Sequence, residues 1–222
     1  MTAIIKNILF DIGEVLVNIN WPLGHAFMQG LATDETGQAL MGPSLHEKIF
    51  SEKQRAHWNR YGVGEITTVE FMELFHQTLP QDSVIYSGDR ETLAKAVSHT
   101  FEPLPERIQT LNELIAGGQY NVALLSDNNE LHATYIENNM PDIFTHIPEE
   151  RRFYSYRLGS QKKSGPKAYQ KALDLWGVNA EETLMIDDRI QNKDGAERLG
   201  IHFMLLAKTD DLKARLKNEY GI

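Results

Sequence analysis

Three short apolar runs in this chain each stop abruptly at carboxylates, and that pattern limits the fold more than any other feature. Ile4-Ile5-Lys6-Asn7-Ile8-Leu9-Phe10 stops at Asp11. Asn121-Val122-Ala123-Leu124-Leu125 stops at Ser126-Asp127, and Thr183-Leu184-Met185-Ile186 stops at Asp187-Asp188. Runs this short and apolar predict buried parallel strands rather than amphipathic helices. His202-Phe203-Met204-Leu205-Leu206 predicts a fourth strand and Phe153-Tyr154-Ser155-Tyr156 a fifth. Helical periodicity runs from Pro105 to Ala116, Pro166 to Trp176 and Ile190 to Leu199, with Gly117-Gly118, Gly177 and Gly200 as stops. Strands alternating with helices of this length predict an α/β fold, a parallel sheet covered on both faces. The stretch from about Trp21 to Thr100 reads differently. Phe71, Leu74, Phe75 and Thr78 have helical spacing, and Thr67 or Thr68 is placed to cap a helix. The expected organisation is a core of residues 1–19 and 101–222 with an all-helical insert at 20–100.

Composition narrows the chemistry. The 222 residues hold 22 Lys and Arg against 31 Asp and Glu, a formal charge of −9. Phosphate backbones call for a basic surface, so nucleic acid is not the expected partner. Cysteine is absent, which removes thiolate nucleophiles, thiolate metal sites and disulfides. The N-terminal run is too short for a signal peptide, and no apolar stretch approaches the ~18 residues that span a bilayer. A cytoplasmic protein with no membrane contact is the expectation.

Ligands of an open parallel sheet bind outside the carboxyl ends of its strands. A single acid at a strand end is commonly a helix cap. Acids at three converging ends repel one another and require a compensating cation. All-oxygen ligands favour Mg²⁺ over Zn²⁺. Lys162-Lys163-Ser164-Gly165-Pro166-Lys167, just before a helix, supplies positive charge for an anionic group, although such a pair taken singly is usually a solvated loop. Carboxylates, Mg²⁺ and Lys together point to phosphoryl transfer. Gly159 to Gly165 comes near a P-loop but continues into Pro166.

At this point the chain resembles the haloacid dehalogenase-like superfamily, in four ordered motifs over nearly its whole length. They are Phe10-Asp11-Ile12-Gly13-Glu14-Val15-Leu16, Leu124-Leu125-Ser126-Asp127-Asn128, Lys163-Ser164-Gly165-Pro166-Lys167-Ala168-Tyr169, and Ile186-Asp187-Asp188 followed by Asn192 and Gly195-Ala196. The resemblance implies a Rossmann-like core, with residues 20–100 as a helical cap that closes the site. It implies Asp11 as a nucleophile that forms a phospho-aspartate. It implies Mg²⁺ held by Asp11, the Gly13 carbonyl and Asp188, with Asp187 behind them or acting through a water. Ser126 and the Asp127 amide would bind phosphoryl oxygens, Lys163 would neutralise Asp11 and the phosphate, and Asn192 would brace the last loop. A small phosphorylated metabolite is the implied partner.

The chain departs from the family pattern in three places. A second Asp, the general acid–base, usually stands where this chain has Gly13. One subgroup of sugar-phosphate phosphatases, resembling bacterial alpha-glucose-1-phosphate phosphatase, also carries Gly there. That match extends through Ser126-Asp127-Asn128-Asn129-Glu130-Leu131-His132 and Gly64-Glu65-Ile66. Glu14 and His25 are candidate substitutes for the missing acid, and Gly13 is itself a candidate for a backbone angle closed to other residues. Asp127 stands where Asn is usual, and Ser164-Gly165 replaces a Pro-acid pair. The expected activity is a Mg²⁺-dependent phosphatase for a small monoester, with sugar phosphates favoured by resemblance. A weakly catalytic phosphate-binding scaffold and a haloacid dehalogenase are the alternatives. Substrate and oligomeric state stay open.

Overall fold

The computed structural model describes residues 4–20, 51–77, 98 and 100–222. Among these residues there are seven strands: β1 (Asn7–Phe10), β2 (Val17–Ile19), β3 (Phe101–Pro103), β4 (Asn121–Ser126), β5 (Arg152–Tyr154), β6 (Thr183–Asp187) and β7 (His202–Leu205). The helices are α1 (Glu52–Gly62), α2 (Thr68–His76), α3 (Pro105–Gly117), α4 (Glu130–Asn139), α5 (Ser155–Leu158), α6 (Lys167–Trp176), α7 (Lys193–Glu197) and α8 (Leu212–Tyr220). No helix among the described residues is long and apolar enough to cross a membrane.

Five strands form a parallel sheet in the order β5-β4-β1-β6-β7. This is the expected α/β core. The alternation of a strand fixes the two faces. Ile8 and Phe10 join Val122, Leu124, Leu184 and Ile186 in one layer, packed on Leu111 of α3, Ile136 of α4 and Leu216 of α8. Leu9, Ala123, Leu125 and Met185 form the other layer with Ala168, Tyr169 and Ala172 of α6 and Ala196 of α7. The central strand is buried along its whole length, as a strand covered on both faces must be.

The register brings the strand ends together. Phe10 lies beside Leu124 and beside Ile186. The next residues, Asp11, Ser126-Asp127 and Asp187-Asp188, therefore leave the sheet on one edge.

Three elements differ from the sequence expectation. The fifth strand ends at Tyr154, because the Ser155 hydroxyl turns to accept from the Asn128 amide at 3.0 Å and α5 begins there. The expected helix over Ile190–Leu199 is a tight turn at Ile190–Asn192 followed by the short α7. That turn carries the Asn192 side chain onto Asp187. Finally, β2 and β3 pair as an antiparallel two-stranded ribbon where the chain leaves the core and where it returns to it. Three-residue strands carry no readable period.

Within the expected cap, the described residues contain α1 and α2, which pack on each other through Trp58, Tyr61, Phe71 and Phe75. Thr67 caps α2 in a reciprocal box with Glu70. His25 lies outside the described residues.

Candidate active site

Asp11 is the first residue past β1 and is buried. Its Oδ1 accepts from the Ile12 amide at 2.8 Å. Its Oδ2 is 2.8 Å from Nζ of Lys162. The same ammonium is 2.6 Å from Oδ2 of Asp187, and the Lys162 and Asp187 side chains are fully buried.

This corrects the lysine assignment. The residue against the nucleophile candidate is Lys162, and Lys163 is exposed. Both lie in a tight turn at Lys162–Ser164, where neighbouring side chains diverge. The turn holds one more residue between the inward lysine and Tyr169 than the family spacing assumes. Two adjacent lysines are chemically equivalent in a sequence, so only spacing favoured Lys163, and the turn absorbs the difference.

Asp127 accounts for the direction of the turn. Its Oδ1 accepts from the Lys162 amide at 2.8 Å, so the carboxylate is committed to the lysine-bearing turn. Burial raises its pKa, while the Lys162 charge and amides oppose that rise. Ser126 ends β4 buried, opposite Tyr154.

Asp187 has no spare oxygen. Oδ1 accepts from the Arg189 amide at 2.8 Å, and Nδ2 of Asn192 lies 3.0 Å from each oxygen. Lys162 completes the set. Asn192 is in turn held by Tyr169, whose hydroxyl donates to its carbonyl at 2.9 Å. Gly195 allows this packing: a Cβ there would meet the Gly165 carbonyl at 2.9 Å.

Asp188 contrasts with its neighbour. Its Oδ1 is buried with no hydrogen-bond partner among the described residues. A buried unpaired carboxylate oxygen costs free energy unless a ligand meets it. Oxygens of Asp11, Asp187 and Asp188 lie within 4.8 Å of one another. With Asp187 saturated, Asp11 and Asp188 are the pair with capacity for a cation.

The electrostatics agree. Burial pushes the Asp11 pKa up to about 7; Lys162 opposes this, and Asp187 and Asp188 add to it. Asp188 is raised by burial and then by Asp187. Burial works against the Lys162 ammonium, but Asp11, Asp187 and Asp127 outweigh it and hold the lysine charged. One ammonium faces several acids, and the excess negative charge calls for a further cation.

The residues offered in place of the missing acid fare differently. Gly13 is not in the left-handed region; Glu14 is, at φ 55°. The carboxylate of Glu14 accepts from the Ile19 amide at 2.9 Å and lies 3.4 Å from Lys208, so it serves the ribbon. Among the described residues, a Cβ on Gly13 would meet only the tip of Ile19, at 3.2 Å.

Solved structures share this architecture. A HAD family enzyme of Bacteroides thetaiotaomicron superposes with a TM-score of 0.76 at 21% identity, over 95% of this chain and 98% of that one. The same enzyme solved with magnesium and inorganic phosphate gives 0.73 at 22%, over 95% and 98%. The L-2-haloacid dehalogenase of Xanthobacter autotrophicus gives 0.60 at 16%, over 96% and 82%. At these identities the likeness is one of fold. The family description "haloacid dehalogenase-like hydrolase" matches residues 5–200. That match spans most of the chain and takes in Asp11, Lys162, Asp187 and Asp188, so the chain belongs to the haloacid dehalogenase-like hydrolases.

Proposed function

We propose that this hydrolase is a Mg²⁺-dependent phosphatase acting on a small phosphate monoester, with residues 20–100 as the cap that closes over the substrate. The observation that carries the proposal is the buried Oδ1 of Asp188, which has no hydrogen-bond partner among the described residues, beside the Asp11–Lys162–Asp187 cluster. A haloacid dehalogenase has no use for an extra unpaired acid there. The magnesium and phosphate complex of the Bacteroides enzyme supports the same reading.

Asp11, Asp188 and the Gly13 carbonyl would hold Mg²⁺, which when bound neutralises charge so that a phosphate dianion can approach a carboxylate. Asp11 attacks phosphorus through a carboxylate oxygen. The new O–P bond forms as the ester O–P bond breaks, giving a phospho-aspartate and the free alcohol. Water then displaces the Asp11 oxygen and releases inorganic phosphate. Lys162 stays protonated throughout, orienting Asp11 and drawing charge from the phosphoryl oxygens. Ser126 and the Asp127 amide lie at the neighbouring strand end to bind those oxygens. Asn192 and Tyr169 hold Asp187, which holds Lys162. With Gly13 in place of an acid, the leaving oxygen takes its proton from solvent, from the substrate itself or from a cap residue such as His25. Sugar phosphates are the substrate class favoured by the subgroup resemblance.

The test is phosphate release from p-nitrophenyl phosphate with and without Mg²⁺. Turnover that disappears with EDTA and in Asp11→Asn supports the proposal. Chloride release from 2-chloropropionate without metal, and no phosphate release, would replace it with the dehalogenase reading. Phosphate binding with neither activity would leave the scaffold reading.

A further inference from the structure

Arg107 is a buried cation away from the catalytic cluster. It stands in the first turn of α3 and is only 7% exposed. A buried guanidinium needs a full set of acceptors. Here they are backbone carbonyls from two loops. Nη1 donates to the Glu14 carbonyl at 2.7 Å and to the Val15 carbonyl at 3.3 Å. Nη2 donates to Ala207 at 2.8 Å, Lys208 at 2.9 Å and Asp210 at 3.2 Å. One planar fork thus joins the loop after β1 to the loop after β7, which lies two strands away in the sheet. The first loop carries the nucleophile candidate and Gly13, and it makes its turn with Glu14 in the left-handed region. A non-glycine residue there is strained by its Cβ. The turn is closed internally by the Glu14 amide on Val17 at 2.7 Å and the Leu16 amide on Ile12 at 2.8 Å. Arg107 adds an external anchor at the carbonyl next to that of Gly13.

We propose that Arg107 is a positioning residue for the metal-binding loop. By pinning the Glu14 and Val15 carbonyls it fixes where the Gly13 carbonyl points relative to Asp11 and Asp188. This rests on the phosphatase reading for its metal, but the loop anchoring itself does not. Lys cannot replace Arg in this role: a point-charge ammonium cannot fork across two loops.

The experiment uses the full chain with Arg107→Lys and Arg107→Met. Two readouts do not depend on turnover. The first is calorimetric titration with Mg²⁺, where loss of a supporting contact should weaken affinity by about 10–100-fold in both variants. The second is amide exchange without metal, where Glu14, Leu16 and Val17 should exchange faster while Leu9 and Phe10 of β1 do not. Turnover of p-nitrophenyl phosphate then shows the Mg²⁺ requirement rising while KM for the ester changes little. If the wild type binds Mg²⁺ and turns over, but both variants match it in affinity and exchange, the positioning role is wrong and the phosphatase reading stands. If the wild type neither binds Mg²⁺ nor releases phosphate, the phosphatase reading fails and takes the metal-positioning role with it. If Arg107→Met does not fold, Arg107→Lys keeps the charge and carries the test. General exchange across the sheet, with unaltered Mg²⁺ affinity of the folded protein, assigns Arg107 to stability alone and overturns the proposal.

Discussion

Lys162 and Asp188 show what a side chain's surroundings add to its identity. A lysine with a fully buried side chain between two carboxylates does structural and chemical work together. Lys162→Met should lower turnover by at least about 100-fold, the scale for removing a preorganised charge partner. It should also destabilise the fold, because Asp11 and Asp187 would remain buried and unpaired, at about 3–5 kcal/mol for a broken buried pair. Lys163→Ala should change neither by more than about twofold, since an exposed lysine contributes little. Phosphate release and urea midpoints on both variants check this, and the opposite ranking would return the role to Lys163. Gly13 permits a second test. Among the described residues its Cβ direction is open but for the Ile19 tip, and its backbone is outside the left-handed region. Gly13→Asp should therefore fold and supply a general acid, worth about 10²–10⁴ where protonation limits the rate. The ratio of alkyl to aryl phosphate turnover should rise. An unchanged ratio in a folded variant means that protonation is not the weak step. At this scale the carboxylates were legible because acids ending apolar runs are conspicuous. Lys162 was not, because its neighbour is identical and only the turn geometry separates them. Arg107 was not, because an Arg in a helix's first turn reads as solvated until a second loop is seen folded over it.

At the scale of elements, the long features were readable and the short ones were not. β1, β4 and β6 are near-continuous apolar runs, as strands covered on both faces must be. α6 buries Ala168, Tyr169, Ala172 and Leu173 at helical spacing and ends at Gly177. By contrast, β2 and β3 are three residues each, and the Ile190–Asn192 turn is shaped by Asn192 reaching Asp187 rather than by any period. The junction of α1 and α2 with the core belongs to the same scale. Ser155 donates to the Gly62 carbonyl at 2.6 Å, and the Leu131 amide donates to the Tyr61 hydroxyl at 2.9 Å. Between them Gly64, at φ 71°, lies so close to α5 that a Cβ would fall 2.2 Å from the Tyr156 carbonyl. Gly64→Ala should cost about 1–3 kcal/mol, the range for strained substitutions, and should expose residues 51–77 to protease before the sheet unfolds. Limited proteolysis beside a urea curve measures both effects. Cleavage at the wild-type rate would show that this contact does not hold the two helices down.

At the scale of the whole molecule, the strand order has a consequence for the order of synthesis. β1 is made first, yet it sits in the middle of the sheet. Its partners Asn121 and Thr183 follow Asn7 by 114 and 176 residues. Until β4 and β6 are made, β1 is an apolar segment with two unpaired edges, a hazard for association between unfinished chains. Such distant pairings also make folding slow. Ribosome-arrested chains of increasing length should therefore gain protease resistance in one late step, when β6 becomes available, and they should need chaperone protection before it. Full resistance in a chain that exposes nothing beyond Ser126 would contradict this. The arrangement that gathers distant carboxylates at one sheet edge thus also keeps the chain inert until late in its synthesis, because Asp11 and Lys162 are locked together with Asp187 only after β6 has been made.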